Sequence, residues 1–107
     1  MSRTVSLSPT ARDDLLEIDA YVAADRGHFA ADALIDQLEA RIRSLRDLTE
    51  RGRYPPELER IGVRTFREVI EPPYRIVYEA TPDAVLVHAV LDGRRDLQTL
   101  LLRRVLR

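Results

Sequence analysis

The chain has 107 residues, of which 45% are hydrophobic and 33% are charged, and it contains no cysteine. This composition is typical of a single folded domain over residues 1–107, and it excludes disulfides, thiolate metal sites and a thiol nucleophile. No segment is apolar enough for a signal peptide or a membrane span, so we expect a cytoplasmic protein.

All 17 basic residues are arginines, and they are distributed unevenly. Residues 1–50 carry 6 arginines and 10 acidic side chains, a net charge of −4. Residues 51–107 carry 11 arginines and 8 acidic side chains, a net charge of +3. Arginine holds carboxylates and phosphates through paired hydrogen bonds, so the second half favours a partner-binding face. Ion pairing between the two halves is the alternative interpretation.

The first half of the chain predicts a strand followed by a helical hairpin. Residues 3–7 alternate polar and apolar side chains, as a half-buried strand does. Ser8 and Pro9 then provide a helix cap and a first helical residue, and Gly27 ends this helix. A second helix is expected over residues 29–51. The apolar stripes of the two helices are Ala11, Leu15, Ile18 and Val22 in the first and Leu34, Leu38, Ile42, Leu45 and Leu48 in the second.

The second half changes to the two-residue period of strands. Adjacent prolines predict a loop over residues 53–58, and strands are expected over residues 63–71, 74–79 and 84–91. The last of these is almost entirely apolar, as expected of a central strand buried on both faces. Leucine spacing predicts a final helix over residues 97–106. The predicted fold is therefore α+β in the order β-α-α-β-β-β-α, with a helical hairpin packed on a small, mainly antiparallel sheet.

No conventional catalytic motif is present, and we predict no metal site and no cofactor. Histidine occurs only at His28 and His88. His88 lies in the most apolar strand, either in the core or at a solvated edge, where a structural role is the simpler interpretation. The acidic residues Asp13, Asp14 and Glu17 match the dipole of the first helix more simply than they match a pair of catalytic acids.

Five arginines lie on, or directly after, the three strands predicted in the second half of the chain. Such a group could bind RNA phosphate, an acidic peptide or an acidic protein surface. The alternative is ion pairing with the neighbouring carboxylates of Glu68, Glu71, Glu79 and Asp96. The five arginines are Arg64, Arg67, Arg75, Arg94 and Arg95.

Three segments resemble the RelE/ParE toxin superfamily. Residues 11–21 resemble its opening helix, residues 68–78 its strand motif, and residues 91–96 its end-of-strand motif, in which the position of Asp92 is commonly histidine. The resemblance covers nearly the whole chain and agrees with the predicted order of elements. It implies the toxic half of a type II toxin–antitoxin module, neutralised by an antitoxin whose tail wraps around the toxin.

The superfamily has two branches with different activities. RelE-like members cut mRNA in the ribosomal A site, whereas ParE-like members inhibit DNA gyrase and trap it with broken DNA. Arg75 and Arg95 match two arginines of the nuclease set, but its paired lysines fall at about Phe66 and Glu68 and its tyrosine at about Leu101. A glutamate repels phosphate and a leucine transfers no proton, so no catalytic residue is expected.

The resemblance therefore favours the ParE-like branch, with a role in plasmid stabilisation. A RelE-like ribosome-dependent endonuclease and a non-toxic antitoxin-binding relative are the alternatives. The implied partners are DNA gyrase and a ParD-like ribbon-helix-helix antitoxin with an acidic and apolar tail, with no direct binding of DNA by the toxin alone. We expect that tail along the helical hairpin and the arginine-bearing edge of the sheet. The expected binding residues are Arg67, Arg75, Arg94 and Arg95.

Overall fold

The computed structural model describes residues 3–47, 49–94 and 104. These residues confirm the α+β order, with a helical hairpin between the first strand and the remaining three strands. The predicted helix over 97–106 lies, apart from Arg104, outside the described residues. The strands are β1 (Thr4–Leu7), β2 (Arg67–Glu71), β3 (Tyr74–Ala80) and β4 (Ala84–Asp92), and the α-helices are α1 (Pro9–Arg26), α2 (His28–Ser44) and α3 (Pro56–Glu59).

The four strands form one sheet in the order β1-β4-β3-β2. β1 is parallel to β4, whereas the β2–β3 and β3–β4 pairs are antiparallel. The sheet is thus mainly antiparallel, as predicted, and β4 lies in its interior between β1 and β3. None of the described helices has the length and apolarity to span a membrane.

The helical hairpin forms where the sequence predicts it and covers one face of the sheet. The Ser8 hydroxyl caps α1 by accepting the N–H of Ala11 at 3.1 Å, and Gly27, with φ of 94°, separates the two helices. α2 ends at Ser44, earlier than predicted, because the Ser44 hydroxyl donates to the carbonyl of Arg41 at 2.6 Å and competes with the helix backbone. A short 3₁₀ helix follows over Thr49–Arg51. The core beneath the hairpin includes Leu38, Ile42, Leu45, Ile76, Tyr78, Val85 and Val87.

The other face of the sheet is covered by α3 and the segment around it. The prediction of a loop over residues 53–58 was wrong in part, because Pro56 occupies the first turn of α3, where a missing N–H is tolerated. The prediction that β2 begins at residue 63 was also wrong, because the strand begins at Arg67. Val63 and Phe66 are apolar because they pack into the core of this second face, not because they pair in the sheet. That core also contains Leu58, Val77, Ala89 and Leu91.

A β-bulge at His88 explains the unbroken apolar run of β4. Tyr78 lies opposite Val87 and Val77 opposite Ala89, so the register omits His88. The extra residue changes which positions of β4 face the helices, since Val87 and, three residues on, Val90 belong to the same core. Both faces of this strand are therefore apolar, as the sequence indicates.

Beyond the bulge, side chains of α1 replace β1 at the edge of β4. The Ser8 hydroxyl donates to the His88 carbonyl at 3.2 Å, and the Asp14 carboxylate accepts the N–H of Val90 at 2.9 Å. Asp14 is only 5% exposed. Asp14 was expected to complement the dipole of the first helix, but it lies beyond the first turn and its carboxylate satisfies a buried strand N–H.

Candidate functional site

Arg75 is held between two carboxylates on the face of the sheet that α3 covers. Its Nε and Nη2 donate to Glu68 at 2.6 and 2.9 Å, and its Nη1 and Nη2 donate to Glu57 at 2.7 and 2.8 Å. Arg53 Nε donates to the same Glu68 carboxylate at 2.7 Å. We call Arg53, Glu57, Glu68 and Arg75 the ion-pair cluster. It contains two positive and two negative groups and is neutral as a whole.

The sheet and α3 together assemble this cluster. Glu68 on β2 and Arg75 on β3 project from neighbouring strands, and a backbone bridge between Arg53 and Glu68 brings the third member alongside. The hydrogen bonds from Arg75 lower the pKa of Glu57 from 4.5 to about 2, and the two carboxylates raise the pKa of Arg75. Glu57 and Arg75 are therefore both charged at neutral pH. Arg75 is 8% exposed and donates four hydrogen bonds to Glu57 and Glu68, so the cluster fastens α3 to the sheet.

Arg67 lies on the opposite face of β2 from Glu68, because successive strand side chains alternate. Its guanidinium stacks 4.6 Å from the centroid of the Tyr54 ring, and its Nη1 donates to the Gly52 carbonyl at 2.8 Å. Nη2 lies 3.3 Å from the Tyr54 hydroxyl. These contacts hold the loop before α3 against the edge strand.

The other arginines named in the sequence analysis either lie apart from the ion-pair cluster or are not among the described residues. Arg94 is exposed and pairs with Asp92 at 2.7 Å, just beyond the end of β4. Arg64 precedes β2 and lies 3.7 Å from Glu59. Arg95, like the position of Leu101, lies outside the described residues. Within the described ranges, Arg67, Arg75 and Arg94 share no hydrogen-bonding partner, so the structure does not bring them together in one site.

His88 has partners of its own on the sheet. Its Nε2 lies 3.1 Å from a Glu79 carboxylate oxygen, and its ring makes an edge contact with Phe66 at 5.1 Å between centroids. This half-buried arrangement supports the structural interpretation of His88. Among residues 3–47, 49–94 and 104, no three histidine or acidic side chains come together as a metal-binding group.

A cleft of about 480 Å³ lies between α1 and the ends of β3 and β4. Asp14 forms one wall, where it also accepts a hydrogen bond from Arg104 Nη1 at 2.6 Å. Tyr74 forms another, and burial raises the pKa of its hydroxyl. The other charged lining residues are Glu17, Asp92 and Arg94, so the cleft contains both signs of charge and selects no single class of ligand.

A second groove, with a volume of about 720 Å³, lies between the two helices of the hairpin and Leu7 of β1. Its apolar side chains are Leu7, Leu15, Leu16 and Ile35, and its charged side chains are Arg12, Asp19, Asp32, Asp36 and Glu39. Four carboxylates against one guanidinium would repel an acidic segment. The expected position of an acidic antitoxin tail along the hairpin is therefore electrostatically unfavourable.

A smaller cleft of about 300 Å³ lies beside β1, and sequence reasoning missed it. We call it the β1 arginine cleft, and it is lined by Arg3, Thr4, Val5, Arg43 and Arg46. Its arginines belong to the half of the chain with a net negative charge, so the charge count did not select them. The available signal was the three-residue spacing of Arg43 and Arg46, which places them about one turn apart, with Arg43 in α2 and Arg46 just beyond the end of α2 at Ser44.

The family of this chain follows from a comparison with known protein families. The family described as the ParE toxin of type II toxin-antitoxin system, parDE, matches residues 5–97. The chain belongs to the ParE toxin family. This match confirms the resemblance to the ParE-like branch, and it includes the hairpin, the sheet and the ion-pair cluster of this ParE-family chain.

Comparison with solved structures agrees with this ParE assignment at the level of the fold. A chain described as "Chromosomal ParDE TA system from P. aeruginosa" superposes with a TM-score of 0.71 at 14% sequence identity. The superposition covers 85% of this chain and 96% of that chain. No curated protein gave a significant sequence match.

Proposed function

We propose that this ParE-family chain is the toxin of a ParDE-type module that inhibits DNA gyrase through protein–protein contact and is neutralised by a ParD-like antitoxin. The family match and the fold shared with a chain of a ParDE system support this proposal. Because gyrase acts in the cytoplasm, that is the compartment that the proposal implies, and stabilisation of a plasmid or chromosomal segment is the biological role.

The state of Arg75 is the observation that favours gyrase inhibition over RNA cleavage. In the nuclease branch, the arginine that Arg75 matches must be available to a phosphate. Here four of its five N–H groups donate to Glu57 and Glu68, at 2.6 to 2.9 Å. A phosphate could bind only by displacing two carboxylates that would then repel it. Glu68 itself falls at about one of the nuclease lysine positions, which places negative charge where cleavage needs positive charge.

Inhibition through protein–protein contact does not require an arginine on the sheet that is available to a phosphate. A protein–protein inhibitor needs a stable surface, and the ion-pair cluster supports that surface by holding α3 in place. Arg67 and Arg94 remain candidate contacts on this view, because both are partly accessible and each can exchange a local partner for one on gyrase. Arg95 is proposed on the resemblance alone.

Two assays run in parallel test the proposal. Purified protein is added to DNA gyrase in a supercoiling assay that also detects broken DNA, and to translating ribosomes in an mRNA cleavage assay. We expect loss of supercoiling, accumulation of cleaved DNA and intact transcripts. The same protein saturated with its antitoxin is the control and should leave gyrase active. Transcript cleavage with unaffected gyrase would support the nuclease alternative, and inactivity in both assays would support the non-toxic relative.

A further inference from the structure

Tyr54 is a half-buried aromatic side chain in contact with two arginines. The guanidinium carbon of Arg67 lies 4.6 Å from the centroid of the Tyr54 ring, and that of Arg64 lies 5.8 Å from the same centroid. Both distances are within the range in which a cation is attracted to the face of an aromatic ring. We call Tyr54, Arg64 and Arg67 the Tyr54 patch.

The backbone around Tyr54 is held on both sides. Arg53 and Glu68 exchange two backbone hydrogen bonds, of 3.0 and 2.7 Å, at the outer edge of β2. Pro55 is fully buried, and a proline restricts the backbone of the residue before it. The ring is therefore in place before any partner arrives, so binding requires little additional ordering of this loop. Because Arg53 occupies this part of the β2 edge, the patch offers side chains to a partner instead of an open strand.

The two guanidinium groups of the patch have hydrogen-bonding capacity that the described part of the chain does not use. A guanidinium carries five N–H groups. Among the described residues, Arg67 uses two of them, on the Gly52 carbonyl and the Tyr54 hydroxyl. Within the same residues, Arg64 pairs only with Glu59, at 3.7 Å, which is longer than a hydrogen bond. Both side chains can therefore bind a carboxylate without giving up a hydrogen bond.

The sequence around the patch has an excess of positive charge. Residues 51–67 contain five arginines and two glutamates, a net charge of +3. One arginine and one glutamate of this segment, Arg53 and Glu57, belong to the neutral ion-pair cluster, so they do not change the excess. The charge that remains is complementary to carboxylates on a partner.

Two exposed aliphatic side chains on the same segments favour a protein partner over a nucleic acid. Ile61, between α3 and Arg64, is 51% exposed, and Ile70, on β2, is 39% exposed. A phosphate backbone provides no apolar surface for such side chains, whereas a protein partner does. Tyrosine and arginine are also among the residues that most often dominate the binding energy of protein–protein interfaces.

We propose that the Tyr54 patch is the surface through which the protein binds an acidic segment of gyrase. Carboxylates of that segment bind the remaining N–H groups of Arg64 and Arg67, and its apolar side chains cover the Tyr54 ring and the neighbouring isoleucines. The identity of the partner rests on the proposed function. The preference for carboxylates rests on the two arginines and on the fixed ring that both of them contact.

The first measurement is an NMR titration of the isotope-labelled, full-length protein with a short polyglutamate peptide. We expect the Nε–H resonances of Arg64 and Arg67 and the ring resonances of Tyr54 to shift. The variant Arg64→Glu/Arg67→Glu should bind the peptide about tenfold more weakly. The variant Arg12→Glu/Arg26→Glu changes the net charge equally at exposed positions of α1 and should bind as the unchanged protein does.

The second measurement adds the same variants to gyrase in the supercoiling assay. We expect Arg64→Glu/Arg67→Glu to require about tenfold more protein for equal inhibition, and Arg12→Glu/Arg26→Glu to match the unchanged protein. Because Arg67 also holds the loop, urea unfolding of each variant is measured beside the assay. Arg64→Glu alone breaks no hydrogen bond within the described residues, so it should weaken inhibition without a loss of stability.

Three results would overturn the proposal. These are unshifted resonances of the patch with the peptide, equal inhibition by the two double variants, and binding of the patch to duplex DNA without gyrase. The peptide titration does not depend on gyrase, so the two proposals can fail separately. Gyrase inhibition that the patch substitutions leave unchanged removes only the patch, whereas peptide binding at the patch without gyrase inhibition removes only the proposed target.

Discussion

Removal of Arg75 is the sharpest test of the ion-pair cluster. Arg75→Ala leaves the Glu68 carboxylate, which is fully buried, without its main partner, and also releases Glu57. Breaking a buried ion pair by deleting one member costs about 3–5 kcal/mol of the free energy of unfolding. Arg53 stays on Glu68 at 2.7 Å and compensates in part. We therefore expect the lower end of this range, about 3 kcal/mol.

This loss corresponds to a fall in Tm of about 12 °C or more for a domain of this size. The measurement is urea unfolding at neutral pH, followed by circular dichroism. Arg64→Ala is the matched control, because it removes an exposed ion pair at 3.7 Å and should change stability by less than about 0.5 kcal/mol. Adding Glu68→Gln to Arg75→Ala removes the stranded charge and should recover part of the loss.

A cost below about 1 kcal/mol for Arg75→Ala would refute the view that the cluster fastens α3 to the sheet. So would a double variant with Glu68→Gln that is no more stable than the single variant. The result also bears on function, because a fold-destabilising Arg75 variant can lose toxicity without any contact between Arg75 and gyrase. Toxicity assays of Arg75 variants therefore need a stability measurement beside them.

Two further predictions concern Glu57 and Gly52. Because folding lowers the pKa of Glu57 from 4.5 to about 2, its contribution is fully present above about pH 4.5 and is lost as the pH falls towards 2. The free energy of unfolding, measured with urea, should fall between neutral pH and about pH 2 in both proteins. We expect this fall to be about 1–2 kcal/mol smaller in Glu57→Gln than in the unchanged protein. An equal fall in both proteins would contradict the assignment. Gly52→Ala would place a methyl group against the Tyr78 hydroxyl and 3.0 Å from the Glu68 carbonyl oxygen. It should cost about 1–3 kcal/mol in thermal unfolding, and a stability within error of the unchanged protein would show that the loop shifts freely.

Features with local signals could be predicted from the sequence. Ser8 and Pro9 mark the start of α1 through capping chemistry, and Gly27 marks the break between the helices through its positive φ. The apolar stripes of the helices and the apolar run of β4 can be predicted from the spacing of apolar side chains along a single element. The order of the four strands and of the helical hairpin follows from these signals, whereas α3 does not.

Features that depend on pairing between distant residues could not be predicted in the same way. The contact of Arg75 with Glu68 was one alternative at the sequence level, but choosing it requires the register of β2 against β3. To predict its contact with Glu57, one would need to know that α3 forms, and the adjacent prolines favoured a loop there instead. The place of the β1 arginine cleft requires the knowledge that β1 lies at the edge of the sheet beside β4. These contacts determine where the charged groups and the sheet edge lie. Most of the candidate site therefore could not be predicted from patterns within single elements.

The parallel pairing of β1 with β4 has a consequence for synthesis on the ribosome. Thr4 pairs with Ala84 and Leu7 with Val87, so the first strand must wait for the last described one before the sheet can close. At translation rates of about 5–20 residues per second, synthesis of the 80 residues from Leu7 to Val87 takes roughly 4–16 seconds. During that interval the sheet of the nascent polypeptide is incomplete, so the chain cannot yet present its folded surface to a target, and an antitoxin already present has time to reach each new copy.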